Sequence, residues 1–123
     1  TDEMVANHPD LAEDSFRALA GTVQYLQSRN IRVILFTPPY SAPYTEHYQA
    51  VDPEMIAHMK GNMDRLQQAY GVEYYDFSAD AAITANHRLF ADPDHLNSCG
   101  AKLFSAKLGQ VVAANGSIIA EGE

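Results

Sequence analysis

Apolar positions recur at three- and four-residue intervals from Asp10 onward, so that Phe16, Leu19, Val23 and Leu26 would line one face of a helix. Asp10 is placed to cap that helix, with Glu13 three residues on, and Asn30 suits the left-handed residue beyond its end. The period then changes. Residues 31–37 form an almost unbroken β-branched and apolar run, as expected of a strand buried on both faces, and such strands belong to parallel sheets.

A second helix is signalled by Asp52 as its cap, Pro53 at its first position and Gly71 as its terminating residue. Met55, Ile56, Met59, Met63, Leu66 and Tyr70 give it an apolar face, and the methionines are assigned to the core as flexible filler. Residues 72–77 read as the second strand. A last helix starts at Asn97 or Ser98, turns Phe104, Leu108 and Val111 inward and closes near Asn115 and Gly116. Residues 117–123 look like a tail in which Ile118 and Ile119 retain the means to dock. A right-handed crossover would set the two strands parallel in one sheet. Residues 1–123 then form a single domain, but two short parallel strands make a poor sheet. The expectation is that a segment preceding this chain, or a partner chain, completes it.

With 46% hydrophobic and 20% charged residues the chain is expected to fold. Its formal net charge of -8 and its scattered lysines and arginines argue against a nucleic-acid partner. No apolar run approaches the roughly 20 residues that span a bilayer, and no signal-peptide pattern opens the chain. A soluble protein is expected, with an exported or cell-envelope location left open. The chain begins at Thr1 without an initiator methionine, which suggests that something upstream was removed or not included. Cys99 is the only cysteine, so neither an intrachain disulfide nor a multi-cysteine metal site can form.

Two segments carry candidate chemistry. Residues 38–51, long for a strand-to-helix loop, hold Pro38, Pro39, Tyr40, Pro43, Tyr44, His47 and Tyr48. Tyr40, Tyr44 and Tyr48 are candidate substrate-binding residues, and loop packing is the competing reading. In residues 89–97, Asp92 and His95 lie three residues apart on either side of a turn. That spacing lets the carboxylate hold one imidazole nitrogen while the other moves a proton, the arrangement of a general base. A bare turn at Asp92-Pro93, with Asp94 capping the helix, is the simpler alternative.

The run from Phe90 to Ala101, continuing to Phe104, Ser105 and Leu108, resembles the last block of SGNH (GDSL) hydrolases, in which Asp-x-x-His followed by Leu-Asn and a later Gly supplies the triad acid and base. The strands ending at Thr37 and Phe77 are similar to the last two of that fold. The resemblance implies an α/β protein, the C-terminal part of a flavodoxin-like three-layer α/β/α SGNH fold, with parallel strands near 31–37 and 72–77. It implies His95 and Asp92 as catalytic residues of a serine ester hydrolase or O-acyl transferase acting on an acyl-ester small molecule or a polysaccharide. The family's Gly-Asp-Ser nucleophile and Gly-x-Asn-Asp blocks do not occur in this sequence, so this chain alone is expected to be inactive.

The rival expectations are a non-catalytic SGNH-like binding module and a small α/β protein that dimerises to complete its sheet. Ser41 lacks a glycine-rich turn and is set aside as a nucleophile. The spacing of His87, Asp92 and His95 matches no standard zinc pattern, so neither a metal nor a cofactor is expected. Cys99 is read as a packing residue, Glu54 and His58 as a solvated pair, and His8 as part of a disordered start.

Overall fold

The computed structural model of the protein describes the backbone of residues 9–121 and the side chains of residues 13–114. Along the chain run α1 (Pro9–Ser28), β1 (Ile34–Thr37), α2 (Ala42–Val51), α3 (Pro53–Tyr70), β2 (Glu73–Asp76), α4 (Ala81–Thr84), β3 (Phe90–Asp92), β4 (His95–Leu96) and α5 (Ser98–Glu121). Short 3-10 turns occupy Phe77–Ala79 and His87–Leu89. His8 and the side chains of Asp10, Ile118 and Ile119 lie outside the described residues.

The chain divides into two compact units. The first takes the described residues up to Leu35 together with Gln49–Tyr75. Its core forms where the apolar stripe of α1 meets that of α3: Ala20, Val23, Leu66 and Val72 are buried, with Phe16, Leu19, Val33, Leu35, Met63 and Tyr70 packed round them. The helix ends follow from local chemistry. Asp52 Oδ1 accepts the Met55 N–H at 3.0 Å ahead of Pro53, satisfying a donor that the first turn leaves unpaired. Gly71, at φ 63°, donates its N–H to the Gln67 carbonyl at 2.8 Å and closes the other end, and Asn30, at φ 60°, takes the same left-handed conformation after α1. Met59 departs from its expected place. It is 51% exposed while Met55 and Met63 are half-buried, so the methionine stripe lies only partly in the core.

The Arg32 guanidinium grips Glu73 through Nε to Oε2 at 2.6 Å and Nη2 to Oε1 at 2.9 Å, and Tyr75 donates its hydroxyl to the same carboxylate at 3.2 Å. A two-pronged pair of this kind fixes geometry as well as charge.

The second unit takes Phe36–Tyr48 and the described residues from Asp76 onward. Phe36, Phe77 and Phe104 meet with centroids 5.0–6.3 Å apart, and Ile83 and Pro39 are fully buried. Asp80 serves two elements at once. Its Oδ1 accepts the Ala82 N–H at the start of α4, and its Oδ2 accepts from Lys107 Nζ on α5 at 2.7 Å.

The strands correct the expected architecture. β1 pairs with β2 in a parallel two-stranded sheet, whereas β3 and β4 form a separate antiparallel one. A flavodoxin-like three-layer α/β/α sheet, and with it the SGNH fold, is not what this chain forms. The physical reason is local. Residues 77–89 fold into 3-10 turns and the single turn of α4, and β3 and β4 satisfy each other's backbone groups across a two-residue turn, so among the described residues no further strand joins β1 and β2.

Two boundaries also differ. Residues 42–51, expected as part of a loop, are helical, because Pro43 sits in the first turn of α2, where a missing N–H costs little. At the other end α5 continues past Asn115 and Gly116 to Glu121.

Candidate functional site

The two residues singled out for proton transfer are brought together by the hairpin. Asp92 closes β3, Pro93 and Asp94 form the turn, and His95 opens β4 as the cross-strand partner of Asp92. Facing positions in an antiparallel pair lie close enough for their side chains to meet, and His95 Nδ1 donates to Asp92 Oδ1 at 2.8 Å. The same Oδ1 accepts the Asp94 N–H at 3.1 Å, which pins the carboxylate to the turn. Asp94 Oδ1 lies 3.0 Å from Nδ1, so two carboxylates share one ring nitrogen. Nδ1 has a single proton, and the shorter contact assigns it to Asp92.

This arrangement leaves Nε2 as the nitrogen that exchanges protons, and no described residue hydrogen-bonds it. The hydrogen bond that His95 donates to Asp92, followed by the negative charges of Asp92 and Asp94, raises the His95 pKa above 6.5. The hydrogen bond from His95 foremost holds Asp92 below 3.8. His95 is 70% exposed, so the effect comes from its partners and not from burial.

The stability that follows has a defined window. The His95 contribution is complete below about 6.5 and is lost as pH rises through its elevated folded value, while the Asp92 contribution is complete above about 3.8 and is lost as pH falls through its depressed one. The hairpin tip is therefore firmest between these limits. In an NMR titration, the His95 ring is expected to show a midpoint above 6.5 that Asp92→Asn moves part of the way back; a midpoint indifferent to that substitution would mean that the hydrogen bond is not its cause.

The hairpin base is held by Asn97. Its N–H donates to the Leu89 carbonyl at 2.9 Å, its Nδ2 to the Arg88 carbonyl at 2.6 Å, and its Oδ1 accepts the Gly100 N–H at 2.9 Å, capping α5. Gly100 is required by close approach, since a Cβ there would run into the Leu89 carbonyl oxygen.

The tyrosines belong to the same unit. Tyr44 and Tyr48, four residues apart, share one face of α2, and Tyr40 lies just ahead of the helix. The Tyr40 and Tyr44 rings meet tilted by 31° with centroids 5.1 Å apart, and Tyr44 and Tyr48 tilted by 47° at 4.7 Å. The start of this ladder is tied to the hairpin by Ser41, which is buried. Its N–H at 3.0 Å and its Oγ at 2.6 Å both donate to the Pro93 carbonyl. Burial and the nearby Asp94 charge raise the Tyr40 pKa.

Ser41, Asp94 and Asn97, which the sequence places in the two candidate segments, hold the site together through bonds it does not show. The tyrosine spacing was the available sign. The contact between Ser41 and Pro93, 52 positions apart, left none.

No family model, curated protein or solved structure matches the chain. The esterase or O-acyl transferase reading and its non-catalytic SGNH-like counterpart are both corrected. The sheet they require is not formed, and the Ser-His-Asp arrangement is not found among the described residues. Ser41 spends its hydroxyl on the Pro93 carbonyl, and no described serine hydrogen-bonds His95.

Asp92, Asp94 and His95 offer three potential metal-ligand atoms within 4.8 Å of one another. The hydrogen bond to Asp92 and the attraction of the Asp94 charge for the imidazole account for their short contacts. Among the described residues no helix is long and apolar enough to cross a membrane.

Proposed function

We propose that the second unit binds a carbohydrate chain on the Tyr40, Tyr44 and Tyr48 ladder, with His95 exchanging a proton with a hydroxyl of the bound ligand. The observation that carries this reading is the Ser41 clamp on the Pro93 carbonyl, which joins the ladder to the turn that orients His95. Tyrosine combines a broad apolar face with a hydrogen-bonding tip, which suits the C–H faces and hydroxyl rims of sugar rings. An imidazole whose tautomer is set by a carboxylate is equipped to take a hydroxyl proton at its other nitrogen and return it.

The test is an NMR titration of the whole chain with neutral oligosaccharides, read at the tyrosine and histidine rings. Resonances of Tyr40, Tyr44, Tyr48 and His95 are expected to move in one saturable process. Tyr44→Ala should weaken binding about fivefold or more, as loss of a central aromatic contact does. His95→Ala should retain most of the affinity while removing the ligand-linked change in proton uptake. Ladder rings that stay unmoved across the oligosaccharide panel would defeat the proposal.

A further inference from the structure

The His95 ring stands largely in solvent, and one exposed pairing is a weak means of holding an imidazole in a single orientation. The hairpin turn sets two acceptors round the same nitrogen. Asp92 Oδ1 takes the Nδ1 proton at 2.8 Å, and Asp94 Oδ1 lies 3.0 Å from Nδ1. The two carboxylates reach that place by different routes. Asp92 faces His95 across the paired strands and is pinned by the Asp94 N–H, whereas Asp94 directly precedes His95 in the chain. A ring that tilts away from Asp92 therefore meets Asp94 with the same nitrogen still donating. Which imidazole nitrogen carries the proton follows from the hydrogen bond the ring makes, so donation to either carboxylate leaves Nε2 as the basic nitrogen.

We infer that Asp94 is a second positioning residue for His95, accepting the Nδ1 proton whenever Asp92 does not, so that Nε2 remains the nitrogen that exchanges protons. This deepens the proton-exchange reading above and rests on it only for what Nε2 acts upon. An exposed imidazole thereby keeps one tautomer without being buried.

The experiment reads the two ring nitrogens of His95 by NMR in the whole chain, without ligand and at a pH where the ring is neutral. Asp92→Ser keeps an oxygen for the Asp94 N–H, as serine hydroxyls do in turns, but one too short to reach the ring. Pairing of Phe90 with Leu96 is followed in each variant as a check on the hairpin. The Nδ1–H form is expected to stay dominant in the unsubstituted chain, in Asp94→Ala and in Asp92→Ser. Asp92→Ser combined with Asp94→Ala should lose it and pass to the Nε2–H form, which an imidazole without a partner prefers. Passage to the Nε2–H form in Asp92→Ser alone would overturn the inference, and so would loss of the Phe90 and Leu96 pairing there, because Asp94 would then have failed to stand in. An Nδ1–H form that survives the double substitution would overturn it likewise, by showing that another group sets the tautomer. No sugar is present in these measurements, so a failure here leaves the binding role of the tyrosines standing, and oligosaccharides that do not bind leave the tautomer result standing.

Discussion

Gly100→Ala is expected to destabilise the second unit by about 1–3 kcal/mol, the usual cost of forcing extra volume into a filled space. An added Cβ would run into the Leu89 carbonyl oxygen and lie 2.9 Å from Leu96 Cδ2. The oxygen is backbone, and it already accepts the Asn97 N–H at 2.9 Å, so it cannot turn aside without breaking the base of the hairpin. The consequence reaches the site, because Asn97 and Leu96 follow directly on His95. Gly109→Ala is the matching control on the same helix. Nothing lies within 4 Å of a Cβ there, and helix propensity favours alanine by about 0.8–1 kcal/mol. Urea unfolding followed by tyrosine fluorescence, in a chain with seven tyrosines and no tryptophan, measures both. Equal midpoints for the two variants would refute the close-approach account.

Leu66→Ala should cost the first unit about 2–5 kcal/mol, the range for emptying a buried leucine site. Leu66 is fully buried between α1 and the chain that follows α3, in contact with the cluster of Ala20, Val23 and Val72. Met59→Ala on the same helix removes a comparable side chain from an exposed position and is expected to stay within about 0.5 kcal/mol. The contrast between them tests whether burial or helix composition carries the stability of α3.

Much of the first unit was legible in the chain because its signals are local. The three- and four-residue spacing from Phe16 to Val23 set the buried face of α1, and Asp52, Pro53 and Gly71 marked both ends of α3 by requirements on single residues. The second unit was harder for physical reasons. Pro38, Pro39 and Pro43 suggest a loop when they are counted together, yet only Pro43 lies inside α2, at a position where helices accept proline. The four-residue spacing of Tyr44 and Tyr48 is the helical signal that the prolines mask.

The site divides in the same way. The pairing of Asp92 with His95 follows from three residues of spacing across a tight turn, and the hydrogen bond between them was foreseeable. Their setting was not. The segment was expected at the carboxyl edge of a large parallel sheet, but each strand of the hairpin needs only the other, and local pairing won. The resemblance to the hydrolase block therefore located two side chains that meet and misjudged the architecture around them.

The Ser41 to Pro93 clamp also constrains when the site comes into being. Closing it brings together positions 52 apart, and Gln49–Tyr75, which lies between them in the chain, packs into the other unit. Such distant closure loses chain entropy before it gains contacts, and it slows folding relative to neighbouring pairs. Pairing β3 with β4 closes only a two-residue turn, whereas joining the hairpin to the aromatic helix closes the whole intervening loop.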